Sequence, residues 1–537
     1  MTGLANFSGA YSFAVQAVEV DVDSDTGKVT VLDAISVHDS GVVVNPIGFE
    51  SQVIGGMAMG LGAALGEELL YEQGRPINPS YLNYPLPRAA DLPPIRPLSV
   101  QGEDPHGPYG AKAVGEIVLI PTAAAVANAV AHATGVRIRE LPLTPDRVLG
   151  ALRQDQAQSR SYGLAGRPSR WWIAGIRSLY PRGLQKVLHR YGTLFGRVHD
   201  AQPIEQILSP TSIEDASVAL KGGAAPLAGG TDLLPARNQG LVEATTLVDL
   251  CTIPGLATVA VNDGALRIGA SVRLTKLESG LNAEMFGGAV PAEARLIAMA
   301  ATRIASPQVR SMATVAGNLC QQKRCWFYRN DFNCFKRGGT TCPCYAVDGD
   351  HRFYHAAVGA HRCQAVTPSD LATAFSTLDA MVIIARSTGQ RQSVSMSSFY
   401  TGPGETALAD GDIITAIEVQ LPSLETTDGL HSLAGYQKLN LWEGDFAVVS
   451  AAVALRLDES KVIRHAAISV GALAPEPLRL ASIEKALVGH RPDRVKLRSN
   501  LDALWSKIGH PLRNNEWKLD AATGVVLHAF DDAIASE

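Results

Sequence analysis

Five of the chain's seven cysteines fall between Cys320 and Cys344, in the stretch CQQKRCWFYRNDFNCFKRGGTTCPC. Cys363 is the sixth of this group, and Cys251 alone stands outside it in a chain of 537 residues. Disulfide-built domains distribute many cysteines over a short secreted chain, which this is not. Thiolates gathered in one basic, aromatic loop are instead how proteins hold soft metals and iron–sulfur clusters. The loop must therefore be folded around something, on a scaffold supplied by the rest of the chain.

That scaffold reads as a multidomain α/β and α+β enzyme. The length suits three or four domains. Apolar residues make up 46%, Gly and Ala are abundant, and aromatics are only 6%. A formal net charge of -5 gives no general case for nucleic acid, and none is expected as a partner. No apolar run is long enough for a membrane span, so membrane association is not expected. The start, MTGLANFSGAYSFAVQ, lacks the basic and apolar regions of a signal peptide. Clustered cysteines without a signal favour a reducing, cytoplasmic location, with the periplasm open only to export alongside a partner.

Composition breaks after residue 155. Gln156 to His199 holds eight Lys/Arg and no acid, which predicts a basic linker over 156–200 with a short helix around Leu184–Tyr191. It reads as a solvated connector or, given Trp171 and Trp172 among arginines, as a docking segment. Before it, YSFAVQAVEVDVDSDTGKVTVLDAISVHD alternates apolar and polar residues about a D-T-G-K turn, a predicted hairpin. QVIGGMAMGLGAALGEELL and PTAAAVANAVAHATG have helical spacing. After the linker, AAPLAGGTDLL, ATTLVDLCTI and GALRIGASVRLTKLESG alternate strand and helix. VVSAAVALRLDESKVIRHAAISVGAL reads as a second hairpin, followed by helices.

Two glycine turns carry the binding chemistry. AGGTDLLPARNQG follows a short strand and opens a helix, and TVAGN immediately precedes the cysteine loop. Such turns present backbone N–H groups to an anion, and together they suggest a dinucleotide held by two loops rather than a Rossmann fingerprint. In this order, AGGTDLL, RIGA (267–270), TVAGNL, PSD (368–370) and GYQK (435–438) resemble the FAD-binding subunit of the molybdenum hydroxylases, the xanthine dehydrogenase and aldehyde oxidoreductase family. The cysteine insertion is similar to that of 4-hydroxybenzoyl-CoA reductase and of bacterial aldehyde oxidoreductase FAD subunits, which carry an extra [4Fe-4S] cluster there.

The resemblance implies a FAD-binding domain of the vanillyl-alcohol-oxidase/PCMH type over 201–425, with the cluster loop at 320–363. It also implies a CO-dehydrogenase-flavoprotein-like domain over 426–537. Ala228, Gly229, Gly230, Thr231 and Asp232 take the place of the loop around the FAD pyrophosphate, and Thr314, Gly317 and Asn318 that of the second loop. Asp370 matches a ribityl contact and Lys438 a side chain near the isoalloxazine. Cys325, Cys334 and Cys363 match cluster ligands. The third ligand is Cys344 if it directly precedes the YAV strand, or Cys342 by C-x7-C spacing. Four thiolates also suit structural zinc.

The first 155 residues resemble the C-terminal part of the molybdopterin-binding subunit of the same family, through HDSGVVVNP (38–46), QVIGGMAMGLGAALGEEL (52–69) and GPYGAKAVGE (107–116). The resemblance makes Glu116 the catalytic base and places Gln52 and the Gly55–Gly56 pair along the molybdopterin cofactor. So short a piece cannot enclose that cofactor, so the expected partners are the remaining molybdopterin-binding portion and a small [2Fe-2S] subunit. The expected activity is oxidation of an aldehyde, N-heterocycle or purine-type substrate with water as oxygen source. The reductive direction, as in 4-hydroxybenzoyl-CoA reductase, and a non-catalytic assembly role stay open.

Overall fold

The computed structural model describes residues 9–154 (except 73), 202–338, 344–422 (except 361) and 429–536. The predicted basic linker, its helix at Leu184–Tyr191, Trp171, Trp172 and Cys342 lie outside the described residues. The chain divides into two compact units, the first ending near the start of that linker.

In the first unit, β1 (Phe13–Val22) and β2 (Val29–Asp39) form the predicted antiparallel hairpin. Gly27 makes its turn at φ +77°, a conformation that suits glycine. β3 (Ile95–Ser99) adds to β2 in parallel. Two helices cover the sheet: α1 (Pro46–Leu65), capped by the Asn45 side chain on Gly48 N, and α2 (Leu119–Thr134), closed by left-handed Gly135. The helices approach closely because α1 offers glycines one turn apart. A Cβ on Gly56 would lie 2.8 Å from the Val118 side chain, and one on Gly60 would lie 2.4 Å from Thr122. A third helix, α3, spans Pro145–Gln154.

The second unit opens with a small parallel sheet. β4 (Gln206–Leu208), β5 (Ala225–Leu227) and β6 (Thr246–Asp249) lie in the order β4-β6-β5, with α4 (Ile213–Lys221) and α5 (Leu233–Asn238) connecting them. A five-stranded antiparallel sheet follows, built from β7 (Val259–Asn262), β8 (Ala265–Gly269), β9 (Met381–Ala385), β10 (Arg391–Ser395) and β11 (Ile413–Gln420), in the order β10-β9-β11-β8-β7. One hydrophobic core links this sheet to α6 (Leu274–Gly280), α7 (Ala292–Thr302) and α8 (Asp370–Thr377).

The last sheet is antiparallel and sequential: β12 (His431–Leu439), β13 (Val449–Leu457), β14 (Ile463–Gly471) and β15 (Leu478–Arg479). β13 and β14 are the hairpin expected from the sequence. Helix α9 (Trp517–Ala535) packs on one face of this sheet and α8 on the other. Gly435 makes the first contact possible, since a Cβ there would meet the Ala529 carbonyl oxygen at 2.0 Å. On the opposite face Gly471 leaves room for the Thr373 hydroxyl in the same way.

Candidate functional site

The two glycine turns close on one another. Gly229 has no space for a side chain, because a Cβ would lie 2.1 Å from the Met312 carbonyl oxygen, on the approach to the TVAGN turn. Its missing Cβ thus serves loop-to-loop contact, where the sequence suggested room for an anion. Gly230 sits at φ +71° and turns the chain into α5. On the other side, the Thr314 hydroxyl accepts from Gly317 N at 3.3 Å, capping the short helix Val315–Leu319. The RIGA strand end holds that turn, with Ala316 N donating to Ala270 O and Val315 N to Val272 O, both at 3.0 Å.

Between the turns lies a mainly apolar cleft of about 310 Å³. Ala228–Asp232, Thr314 and Gly317 line it, and so do Cys320, Gln321 and Gln322 at the start of the cysteine insertion. Its volume falls in the range of cofactor pockets.

The remaining motifs brace the cleft rather than line it. Ser369 caps α8 by accepting from Ala372 N, and its hydroxyl donates to Asn318 Oδ1 at 2.6 Å. Asp370, the next residue, accepts from Tyr436 Oη and Lys438 Nζ, each at 2.8 Å, in a nearly dry ion pair. Strand alternation explains GYQK. Tyr436 and Lys438 face α8, while Gly435 and Gln437 face α9, where Gln437 donates to Asp532. Neither Asp370 nor Lys438 lines the cleft.

Asp232 lines the cleft and also anchors the insertion. Its carboxylate accepts from Gln322 N at 2.6 Å and pairs with Arg324 at 2.8 Å and Arg329 at 2.9 Å. Burial would raise its carboxyl, but the two guanidiniums and the Gln322 N–H outweigh that and hold it below the usual carboxylate range. Arg329 is fully buried and also donates to Lys323 O and Gln239 Oε1. Sequence reading missed both arginines, because nothing in a sequence pairs residues some ninety positions apart.

Cys325, Cys334, Cys344 and Cys363 are all buried. Burial pushes each of the four thiols up, and for Cys344 the neighbouring Cys325, Cys363 and Cys334 add to the effect. The four thus lie near enough to feel one another's charge. Around them Phe327 stacks on Tyr345 and meets Phe332 edge-on. Tyr345–Val347, expected as a strand, is a 3-10 turn. It begins directly after Cys344, and tucking its side chains into this aromatic shell leaves no partner strand to pair with.

In the first unit, α1 and α2 bring Gln52 beside the Gly115–Glu116 turn: a Cβ on Gly115 would lie 3.6 Å from Gln52 Oε1. Gln16 on β1 fixes the end of that turn, donating to Val118 O and accepting from the Thr122 hydroxyl, both at 2.7 Å. Glu116 and Gln52 are both exposed.

Two backbone turns over an apolar cleft define a two-loop nucleotide-binding domain. Residues 202–423 match the FAD binding domain in molybdopterin dehydrogenase, and residues 434–532 the CO dehydrogenase flavoprotein C-terminal domain. Residues 2–93 match a molybdopterin cofactor-binding domain. The aldehyde oxidoreductase FAD-binding subunit of Escherichia coli K12 is 33% identical over 58% of this chain and 92% of its own length. The xanthine dehydrogenase molybdenum-binding subunit of Escherichia coli O157:H7 is 45% identical over 139 residues, 26% of this chain and 18% of that protein. The aldehyde oxidoreductase molybdenum-binding subunit of Escherichia coli K12 is 43% identical, over 26% of this chain and 20% of its own length. The chain belongs to the molybdenum hydroxylase family, as a FAD-binding subunit preceded by a molybdopterin-binding fragment. It spans about a fifth of the length of its molybdenum-binding relatives.

Proposed function

We propose that this chain is the flavin and iron–sulfur electron-transfer component of a molybdenum hydroxylase complex. The complex oxidises an aldehyde, N-heterocycle or purine-type substrate with water as oxygen source, in the cytoplasm. The observation that carries this reading is the shared cleft: the insertion bearing the cysteines begins on the wall of the cavity that the two glycine turns enclose. FAD and a [4Fe-4S] cluster supply two-electron and one-electron redox chemistry when bound. The chain's own residues supply holding and insulation.

The residues fit both groups. Ala228–Thr231, Thr314 and Gly317 offer backbone turns to the FAD phosphates. Cys325, Cys334, Cys344 and Cys363 offer four buried thiols to the iron. Four thiolates suit zinc as well, but a cluster beside a flavin can relay electrons and zinc cannot, which favours iron. Cys344, buried like the other three, is taken as the third ligand, with Cys342 the alternative.

Glu116 acts as general base, with Gln52 beside it at the molybdopterin cofactor. The remaining molybdopterin-binding portion covers their open face, and a small [2Fe-2S] subunit joins the two redox ends. Anaerobically purified complex should hold one FAD per chain and about four irons beyond the partners' content. Stoichiometric zinc without iron would overturn the cluster. Cys344→Ser should lose the iron and Cys342→Ser should keep it.

A further inference from the structure

Cys325 has an imidazole beside its sulfur: His355 Nε2 lies 3.3 Å from Cys325 Sγ. The ring is buried, and this is the contact its Nε2 makes; Nδ1, also buried, has no hydrogen-bond partner among the described residues. The ring is rigidly placed. Its backbone carbonyl accepts from Lys518 Nζ at 2.9 Å, and the same ammonium donates to Phe353 O and Ala472 O. His355 also bridges Ala365, two residues beyond Cys363, and Ala356 N donates to Gln364 O at 2.8 Å. The segments carrying His355 and Cys363 therefore move together, and Phe327 packs near the imidazole at 6.3 Å.

Two tautomers satisfy the 3.3 Å contact, and they differ in what they leave unpaired. If the thiol donated to Nε2, the proton on Nδ1 would be a buried donor with nothing to receive it. If Nε2–H donates to the sulfur, Nδ1 is left as a bare acceptor, the cheaper of the two. The better arrangement is thus one in which Nε2–H points at the Cys325 sulfur and the sulfur accepts it, a bond that a metal-bound thiolate strengthens.

We propose that His355 is a positioning residue for the iron–sulfur site, donating its Nε2–H to the Cys325 thiolate and so making the cluster easier to reduce. The inference rests on the cluster reading above. Hydrogen bonds to ligand sulfur stabilise the more negative, reduced state and raise the potential.

The test is an EPR-monitored redox titration of the purified complex, with iron counted first. His355→Phe keeps a flat ring among the aromatics but has no N–H. It should retain its iron and show a reduction equilibrium about tenfold less favourable, which is about 59 mV for one electron. His355→Gln, whose amide nitrogen reaches a similar position, should recover most of that shift. An unchanged potential in His355→Phe overturns the role. Should His355→Phe fail to hold its cluster, wild-type protein labelled with 15N-histidine decides. A weak 15N coupling to the reduced cluster supports the hydrogen bond, and its absence overturns it. Wild-type complex without iron would instead overturn the cluster reading itself, a separate result.

Discussion

Single atoms set the terms at several points in this molecule. The missing Cβ of Gly229 is one, since the next backbone sits 2.1 Å from where it would be. Gly229→Val should push the two turns apart, costing about 1–3 kcal/mol in stability. It should also lower the ratio of flavin to protein absorbance in the purified chain. Full flavin content in that variant would mean that the turns do not cradle the cofactor. Glu116 is the opposite case, an exposed carboxylate whose replacement disturbs no packing. Glu116→Gln in the assembled complex should lower kcat by roughly a hundred- to ten-thousand-fold with molybdenum content unchanged. Near-normal turnover at full molybdenum would leave the N-terminal unit without a catalytic part.

Among elements, the coupling between the AGGTD turn and the cysteine insertion runs through Asp232. Replacing it removes the carboxylate that pairs with both buried guanidiniums, Arg324 and Arg329, so Asp232→Asn should cost about 3 kcal/mol at pH 7. Because the folded carboxyl titrates below its ordinary value of 3.8, its contribution is complete above that pH. It fades as acid protonates the folded form. Denaturant titrations of the two proteins should therefore differ by a constant amount down to about pH 4 and converge below it. A gap that closes at pH 5 or 6 would assign the acid response to other groups. This scale is also where sequence reading stopped short. Hairpins, long helices and both glycine turns were legible, because period, turn residues and caps are local properties. Asp370 and Lys438 were legible as notable residues but not as partners of each other. Their meeting depends on β12 crossing the N-terminus of α8, some seventy positions away in sequence. The strand that the family resemblance put at Tyr345–Val347 is a 3-10 turn in this chain, a local difference that a resemblance does not carry.

For the molecule as a whole, the two units predict a divided dependence on partners. Expressed alone, the chain should carry flavin, whose cleft lies wholly within the second unit, but no molybdenum. Supplying the rest of the molybdopterin-binding portion should restore molybdenum in step with activity. Metal analysis of the two preparations checks this, and molybdenum bound by the chain alone would contradict it. Assembly of the second unit has its own safeguard in GYQK. Slide β12 by a single residue and all four positions change faces at once. Gln437 would lose Asp532, Lys438 would enter a helix interface without its acid, and Asp370 would be left charged in the dry. One mistake is thus penalised on both sides of the sheet, so the tetrapeptide works as a checksum on the fold, rejecting a misthreaded strand before the flavin arrives.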